Sequence, residues 1–196
     1  MIENSNIKRK RLIESLNRVD FKLVSTDNHP ILKIKKEIVE KVYQDENDFR
    51  VKCFEFGENF IEILRKEKFD NIFVQALFYT EPLVNFFEDK YVDYECIIND
   101  RYYEIKTDEK DIKDIFIDQF ELGGAMKALN LMGKEAVELS ERFYKVISEN
   151  TNSEVYLYYT QELWNDYFFG VSWDRTYIIV NITTRKLWVM CFTDTD

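Results

Sequence analysis

The sequence predicts an α+β domain, with α/β as the variant, in which a central mixed or antiparallel sheet is flanked by helices and closes on a C-terminal β-meander. Three observations predict it. Apolar residues recur every three or four positions in the N-terminal part and again over 129–146, the spacing of amphipathic helices. Four short runs rich in β-branched and aromatic residues fill 151–196. With only five Gly and two Pro, no stretch reads as a linker. A single domain over 1–196 is therefore expected, with 1–48 as a helical part and 151–196 as the meander.

The elements follow in order. Ile7 to Val19 carries Leu12, Ile13, Leu16 and Val19 on one stripe and reads as a helix. Lys8 to Arg11 place four positive charges near its start, where the helix dipole disfavours them, and read as a solvated first turn. Phe21 to Val24 is a short strand. Asn28-His29-Pro30 opens a helix to about Tyr43, with Ile31, Ile34, Ile38 and Val42 inward and Pro30 in the first turn. Val51 to Phe56 is a strand stopped by Gly57. Asn59 to Lys66 is a short helix with Phe60, Ile63 and Leu64 inward. Between Asn71 and Tyr79 nearly every residue is apolar, and periodicity does not separate a buried helix from a strand. Thr80-Glu81-Pro82 starts a further helix, through Phe87.

Tyr91 to Thr107 reads as a hairpin: Val92, Ile97 and Ile98 on one arm, Tyr102, Tyr103 and Ile105 on the other, with Asn99-Asp100 as the turn. Asp108 is an N-cap for a helix carrying Ile112, Ile115, Phe116 and Phe120. Gly123-Gly124 interrupts. A long helix follows on Leu129, Met132, Ala136, Leu139, Phe143 and Val146, closed by 150–153. Strands are expected at Val155–Tyr159, Tyr167–Val171, Tyr177–Asn181 and Leu187–Phe192, the last two joined by a loop at 182–185.

Composition narrows the function. The formal net charge is -10, against a general nucleic-acid coat or an anionic membrane surface, which draw on Lys and Arg. A metal-loaded site acting on nucleic acid is still compatible, because the cation inverts local electrostatics. Cys53, Cys96 and Cys191 lie far apart in apolar runs and form neither a disulfide framework nor a zinc knuckle. Buried thiols in a reducing, cytoplasmic compartment are expected. The N-terminus lacks the apolar core of a secretory signal, and no run approaches the roughly 18 apolar residues of a membrane span.

The hairpin holds the first candidate site. Side chains alternate across a strand, so Glu104 and Lys106 share a face, and Asp93 can meet them if the register permits. Mg²⁺ or Mn²⁺ takes carboxylate oxygens such as those of Asp93 and Glu104, with the Ile105 carbonyl as a further ligand. Such a metal lowers the pKa of an attacking water and neutralises developing charge in phosphodiester cleavage, while Lys106 orients the water. Glu62, Glu67 and Asp70 are candidates for another acidic ligand. The same residues also read as a solvated strand face with cross-strand pairs.

Asp93 followed by Glu104-Ile105-Lys106 resembles the signature of the PD-(D/E)xK nuclease superfamily, the restriction-endonuclease-like fold. The resemblance covers about residues 59–160, with Val92 in place of the family's proline before the aspartate. It implies a helix, three antiparallel strands, a helix and a further strand from Asn59 onward, and a metal-dependent nuclease acting on DNA or RNA. It also implies His29 as an upstream metal ligand and a basic residue such as Lys127 or Lys134 after the signature strands.

A second surface competes with the hairpin. Trp164, Asp166, Trp173, Asp174 and Arg175 gather around Phe168-Phe169-Gly170, an aromatic set rimmed by acids that suits protein binding, or else simple sheet packing around a turn. Gly123-Gly124 lacks the flanking pattern of a phosphate loop, and Asp194 and Asp196 read as a solvated end. The alternative function is an acidic immunity or antitoxin-like protein that binds and inhibits a basic effector protein. It expects negative charge concentrated on one exposed face.

Overall fold

A computed structural model describes residues 2–43, 45–84, 104–123, 131–149, 153–161, 167–168 and 174–193. The helices are α1 (Ile2–Leu16), α2 (Pro30–Lys41), α3 (Glu58–Glu67), α4 (Asn71–Leu77), α5 (Glu81–Val84), α6 (Glu109–Leu122) and α7 (Lys134–Ser148). The strands are β1 (Lys22–Leu23), β2 (Phe49–Glu55), β3 (Glu104–Lys106), β4 (Val155–Thr160), β5 (Arg175–Asn181) and β6 (Lys186–Phe192). They form one sheet of six strands in the order β1-β2-β6-β5-β4-β3, with every neighbour antiparallel. The α+β expectation holds, and among the described residues the sheet is antiparallel throughout.

Alternation along the strands builds two core layers. Ile178, Val180, Leu187, Val189 and Cys191 face α1, α3 and α4, where Leu12, Leu16, Phe60, Leu64, Phe73 and Leu77 meet them. Tyr177, Ile179, Trp188, Met190 and Phe192 face α2, α6 and α7, against Ile31, Ile38, Phe116, Phe120, Leu139 and Phe143. A sheet covered on both faces has no polar side, which is why 177–181 and 187–192 are nearly unbroken apolar runs. Aromatic geometry locks the second layer: Phe49 stacks on Phe192 at 4.2 Å, and Phe116 meets Phe143 edge-on at 4.6 Å.

Several expectations are corrected. The expected C-terminal meander is present as β4-β5-β6, and its place is central: β6 pairs with β2 from Phe49↔Phe192 to Glu55↔Lys186. Tyr167 and Phe168 lie in a turn and a coil rather than a strand. Residues 71–77 are helical, and Phe73 through Leu77 are all buried, so α4 has no polar side from which to read its period. The Lys8–Arg11 cluster sits mid-helix, because α1 begins at Ile2. Lys8 binds Asp70 and Arg11 binds Glu67, each at 2.6 Å, tying α1 to the region of α3 and α4.

Two helix starts follow sequence chemistry directly. Asp108 caps α6 by accepting from the Lys110 N–H at 2.9 Å and, more weakly, the Asp111 N–H at 3.4 Å. His29 caps α2, and Pro30 follows in the first turn, where a missing N–H costs nothing. At its other end α6 stops on Gly123, whose φ of 59° a residue with a Cβ rarely adopts.

Candidate functional site

Of the hairpin residues, Asp93 lies outside the described residues, as does the arm that would carry it. Glu104-Ile105-Lys106 do form a strand, β3, at one end of the described sheet. Their partner there is β4: Glu104 pairs with Tyr159, Ile105 with Tyr158 and Lys106 with Leu157.

His29 belongs to a different place. Its Nδ1 accepts the Ile31 N–H at 3.2 Å, and its ring lies 5.2 Å from that of Trp188 in β6. Burial lowers the imidazole pKa, with the nearby Lys186 adding to the effect, so the unprotonated Nδ1 that capping requires is favoured. The register runs Trp188↔Ile179↔Leu157↔Lys106 across three strand spacings, about 14 Å at roughly 4.8 Å each. His29 is a helix cap on the far side of that span, not a ligand shared with Glu104. Of the three other acids considered as ligands, two are engaged, Glu67 by Arg11 and Asp70 by Lys8 and by the Phe73 N–H it caps, while Glu62 is exposed on α3. Among the described residues no group of three or more His, Cys, Asp or Glu side chains is placed to hold a metal. Lys134 opens α7 and pairs with Glu138 at 3.4 Å, while Lys127 lies outside the described residues.

The aromatic–acidic surface changes as well. Trp164, Asp166 and Trp173 lie outside the described residues. Asp174 is 1% exposed and accepts the Thr193 hydroxyl at 2.6 Å, so it braces the ends of β5 and β6 and is not presented to a partner. Arg175 is half-buried, with its guanidinium 5.8 Å from the Tyr159 ring centre.

What the structure brings together is an acidic stripe on α6, with Glu141 of α7 beside it. Asp108, Asp111, Asp114, Asp118 and Glu121 recur at spacings of three and four, so they form one stripe, opposite the buried Ile112, Phe116 and Phe120. The four aspartates are exposed, and Glu121 is tied to the start of α7 by accepting the Gly133 N–H at 2.9 Å. Like charges at these spacings destabilise a helix by about 0.2–0.5 kcal/mol per pair. Asp118 and Glu121 also sit toward the negative end of the dipole, and α6 has no basic residue in its last turn. Local helix physics therefore favours Asp108 and Asp111 at the start of α6 and opposes Asp114, Asp118 and Glu121 beyond it. α6 carries Glu109, Asp111, Asp114, Asp118 and Glu121 against Lys110 and Lys113, whereas α1 carries Lys8, Arg9, Lys10 and Arg11 against Glu3 and Glu14, and α2 carries Lys33, Lys35, Lys36 and Lys41 against Glu37 and Glu40.

Beside the stripe a half-open groove of about 450 Å³ runs between the helices, lined by 108–110, Lys113, Asp114 and Ile117 of the α6 side and by Val137 and Glu141 of α7. Ser140 Oγ donates to the Lys113 carbonyl at 2.7 Å and fixes the helix spacing. Lys113 is drawn to one side, its Nζ 2.5 Å from Glu109 and 5.4 Å from the Tyr144 ring centre. Arg142 ties α7 to α2 through both Glu37 oxygens, at 2.6 and 2.7 Å. Sequence reasoning followed the apolar stripe of α6 and missed the acidic one, whose signal is the same periodicity in Asp and Glu.

Cys53 and Cys191 are buried thiols, as expected; burial pushes Cys53 up to about 12 and Cys191 upward as well. Cys96 lies outside the described residues. No helix among the described residues is long and apolar enough to cross a membrane. No family model, no curated protein and no solved structure matches the chain.

Proposed function

We propose that this chain is an acidic binding protein that covers a basic protein partner with the face of α6 and α7, as an immunity or antitoxin-like protein does. The supporting observation is the exposed run Asp111, Asp114 and Asp118 on one face of α6, in which Asp114 and Asp118 repel at a spacing of four and lie beyond the first turn, where the dipole no longer favours acids. Net charge of -10 speeds encounter with a positive partner, and a local stripe orients the encounter. The test is binding to a set of small basic proteins at low and at physiological salt. Wild-type protein is expected to bind and to weaken as salt rises. Asp111→Lys with Asp118→Lys abolishes binding, whereas Glu62→Lys on α3 leaves most of it. Equal loss from both substitutions would remove the α6 face from the proposal.

A second reading has its own support. Residues 104–106 form a strand, which gives Glu104 and Lys106 the alternate positions that a Glu-x-Lys pair of the PD-(D/E)xK nuclease superfamily requires. Glu104 supplies a hard carboxylate suited to Mg²⁺ or Mn²⁺, and it is a single donor, so Asp93 would have to complete the pair before cleavage of DNA or RNA. Such a metal would supply a Lewis acid and an activated water, with Lys106 orienting that water. Calorimetric titration of Mn²⁺ into wild-type and Glu104→Ala protein tests it. Binding present in the first and lost in the second supports a nuclease; no wild-type binding removes it.

A further inference from the structure

We infer that the groove between α6 and α7 seats a short amphipathic helix of the basic partner, one aliphatic side chain resting on Ile117 and Val137 and its lysines or arginines reaching Asp114 and Glu141. This rests on the binding reading and specifies what the acidic face recognises. The floor of the groove is aliphatic: Ile117 is half-buried, and Val137 keeps 39% of its surface exposed on a helix whose neighbouring apolar positions, Ala136 and Leu139, are covered. Charge differs from wall to wall in a useful way. The lining carries two cations: Lys113 is held by Glu109 and Tyr144, and Lys110 is exposed at the Asp108 end of the α6 wall, where Asp108 is occupied in capping α6. Asp114 on one wall and Glu141 on the other are exposed and have no ion-pair partner among the described residues. An apolar strip between two such carboxylates is complementary to a leucine or isoleucine bracketed by cations, the pattern of one face of a basic amphipathic helix.

Size agrees with that occupant. The α6 wall from 108 to 117 extends about 14 Å at 1.5 Å per residue, between two and three helical turns. The open side admits a helix laid along the surface, and the two rigid helices that form the walls are joined by the Ser140–Lys113 contact. A flat acidic surface would attract any polycation alike; the exposed valine and isoleucine add a preference for apolar content.

The test uses the intact chain and two labelled helical peptides of fourteen residues. One is built of leucine and lysine, and the other has alanine at every leucine, so charge and helicity are kept. Fluorescence anisotropy at low salt is expected to show the leucine peptide binding at least tenfold more tightly. Val137→Asp, and separately Asp114→Lys with Glu141→Lys, should each weaken it at least tenfold, and Glu62→Lys should not. Thermal melts by circular dichroism verify that each variant folds. If both peptides bind alike, or if only Asp111→Lys with Asp118→Lys weakens binding, the groove proposal falls while the acidic face stands. If neither peptide binds wild-type protein, the binding reading and the groove fall together.

Discussion

Removing the carboxylate of Glu37 should make stability less dependent on acid, by an amount the structure sets. Glu37 receives both Arg142 nitrogens, at 2.6 and 2.7 Å, and Lys41 stands 3.0 Å away. The Arg142 hydrogen bonds hold its carboxyl well below the ordinary range, at about 2 against 4.5. Tenfold in an ionisation constant is worth about 1.4 kcal/mol, so full transmission of that difference to folding gives an upper limit of about 3 kcal/mol. Glu37 keeps 21% of its side-chain surface and Arg142 keeps 49%, so solvent screens the pair and about 1 kcal/mol is expected.

The sign follows from the depressed value. An ionised Glu37 favours the folded state at every pH above its unfolded value near 4.5, and the contribution fades as pH falls toward about 2. Urea unfolding of wild-type and Glu37→Gln protein at pH 7, 5, 4 and 3 measures it, because other titrating groups cancel in the difference. The gap should be about 1 kcal/mol at pH 7, unchanged at pH 5, and visibly smaller by pH 3. A gap that stays constant from pH 7 to pH 3 would refute the reasoning, since glutamine would then act through packing and not charge.

Three further outcomes follow from single contacts. Asp108→Ala removes the cap on the Lys110 N–H and should cost about 1 kcal/mol in urea unfolding, with Asp108→Asn restoring most of it. Tyr177 donates to Gln119 Oε1 at 2.7 Å, and Gln119 Nε2 donates to Tyr43 Oη at 2.7 Å, all wholly buried. Tyr177→Phe leaves a buried acceptor short of its donor and should cost about 1–3 kcal/mol, while adding Gln119→Leu costs less than the separate changes combined. Cys53, moved by burial from the usual 9.0 to about 12, should react with a thiol reagent at pH 8 on the order of a thousandfold more slowly in folded protein than in urea, followed by site-resolved mass spectrometry.

Local rules carried most of the fold. The three-and-four spacing of Ile31, Ile34 and Ile38 marked α2, and Asp108 marked the start of α6 within one residue. The alternation inside β5 and β6 was invisible for a physical reason: both faces are covered, so Ile178 and Ile179 are equally buried although they enter different layers. Sheet order was beyond local reading too. Pairing β2 with β6 joins Phe49 to Phe192 across most of the chain, and nothing in either strand's composition names its partner. The expected hairpin likewise supplied a strand at 104–106, but β3 takes its described partner from β4, beyond two intervening helices.

The candidate site was half legible for a related reason. Counting charge over the whole chain returns a bulk acidity and hides its placement, because the cations of α1 and α2 offset acids elsewhere. Taken at helical spacing, the same residues separate: 111, 114, 118 and 121 fall on one side of α6, and 112, 116 and 120 on the other. An amphipathic helix normally varies its exposed side, since mixed charges give favourable pairs and a uniform stripe gives repulsion. A face on which acids outnumber cations, with Lys110 at its edge, is therefore informative where an acidic total is not. The groove is different in kind, because Val137 and Glu141 meet Ile117 and Asp114 only through the docking of α7 on α6, held at Ser140 and Lys113. The stripe can attract a basic surface, and the groove can prefer one that also carries an aliphatic side chain.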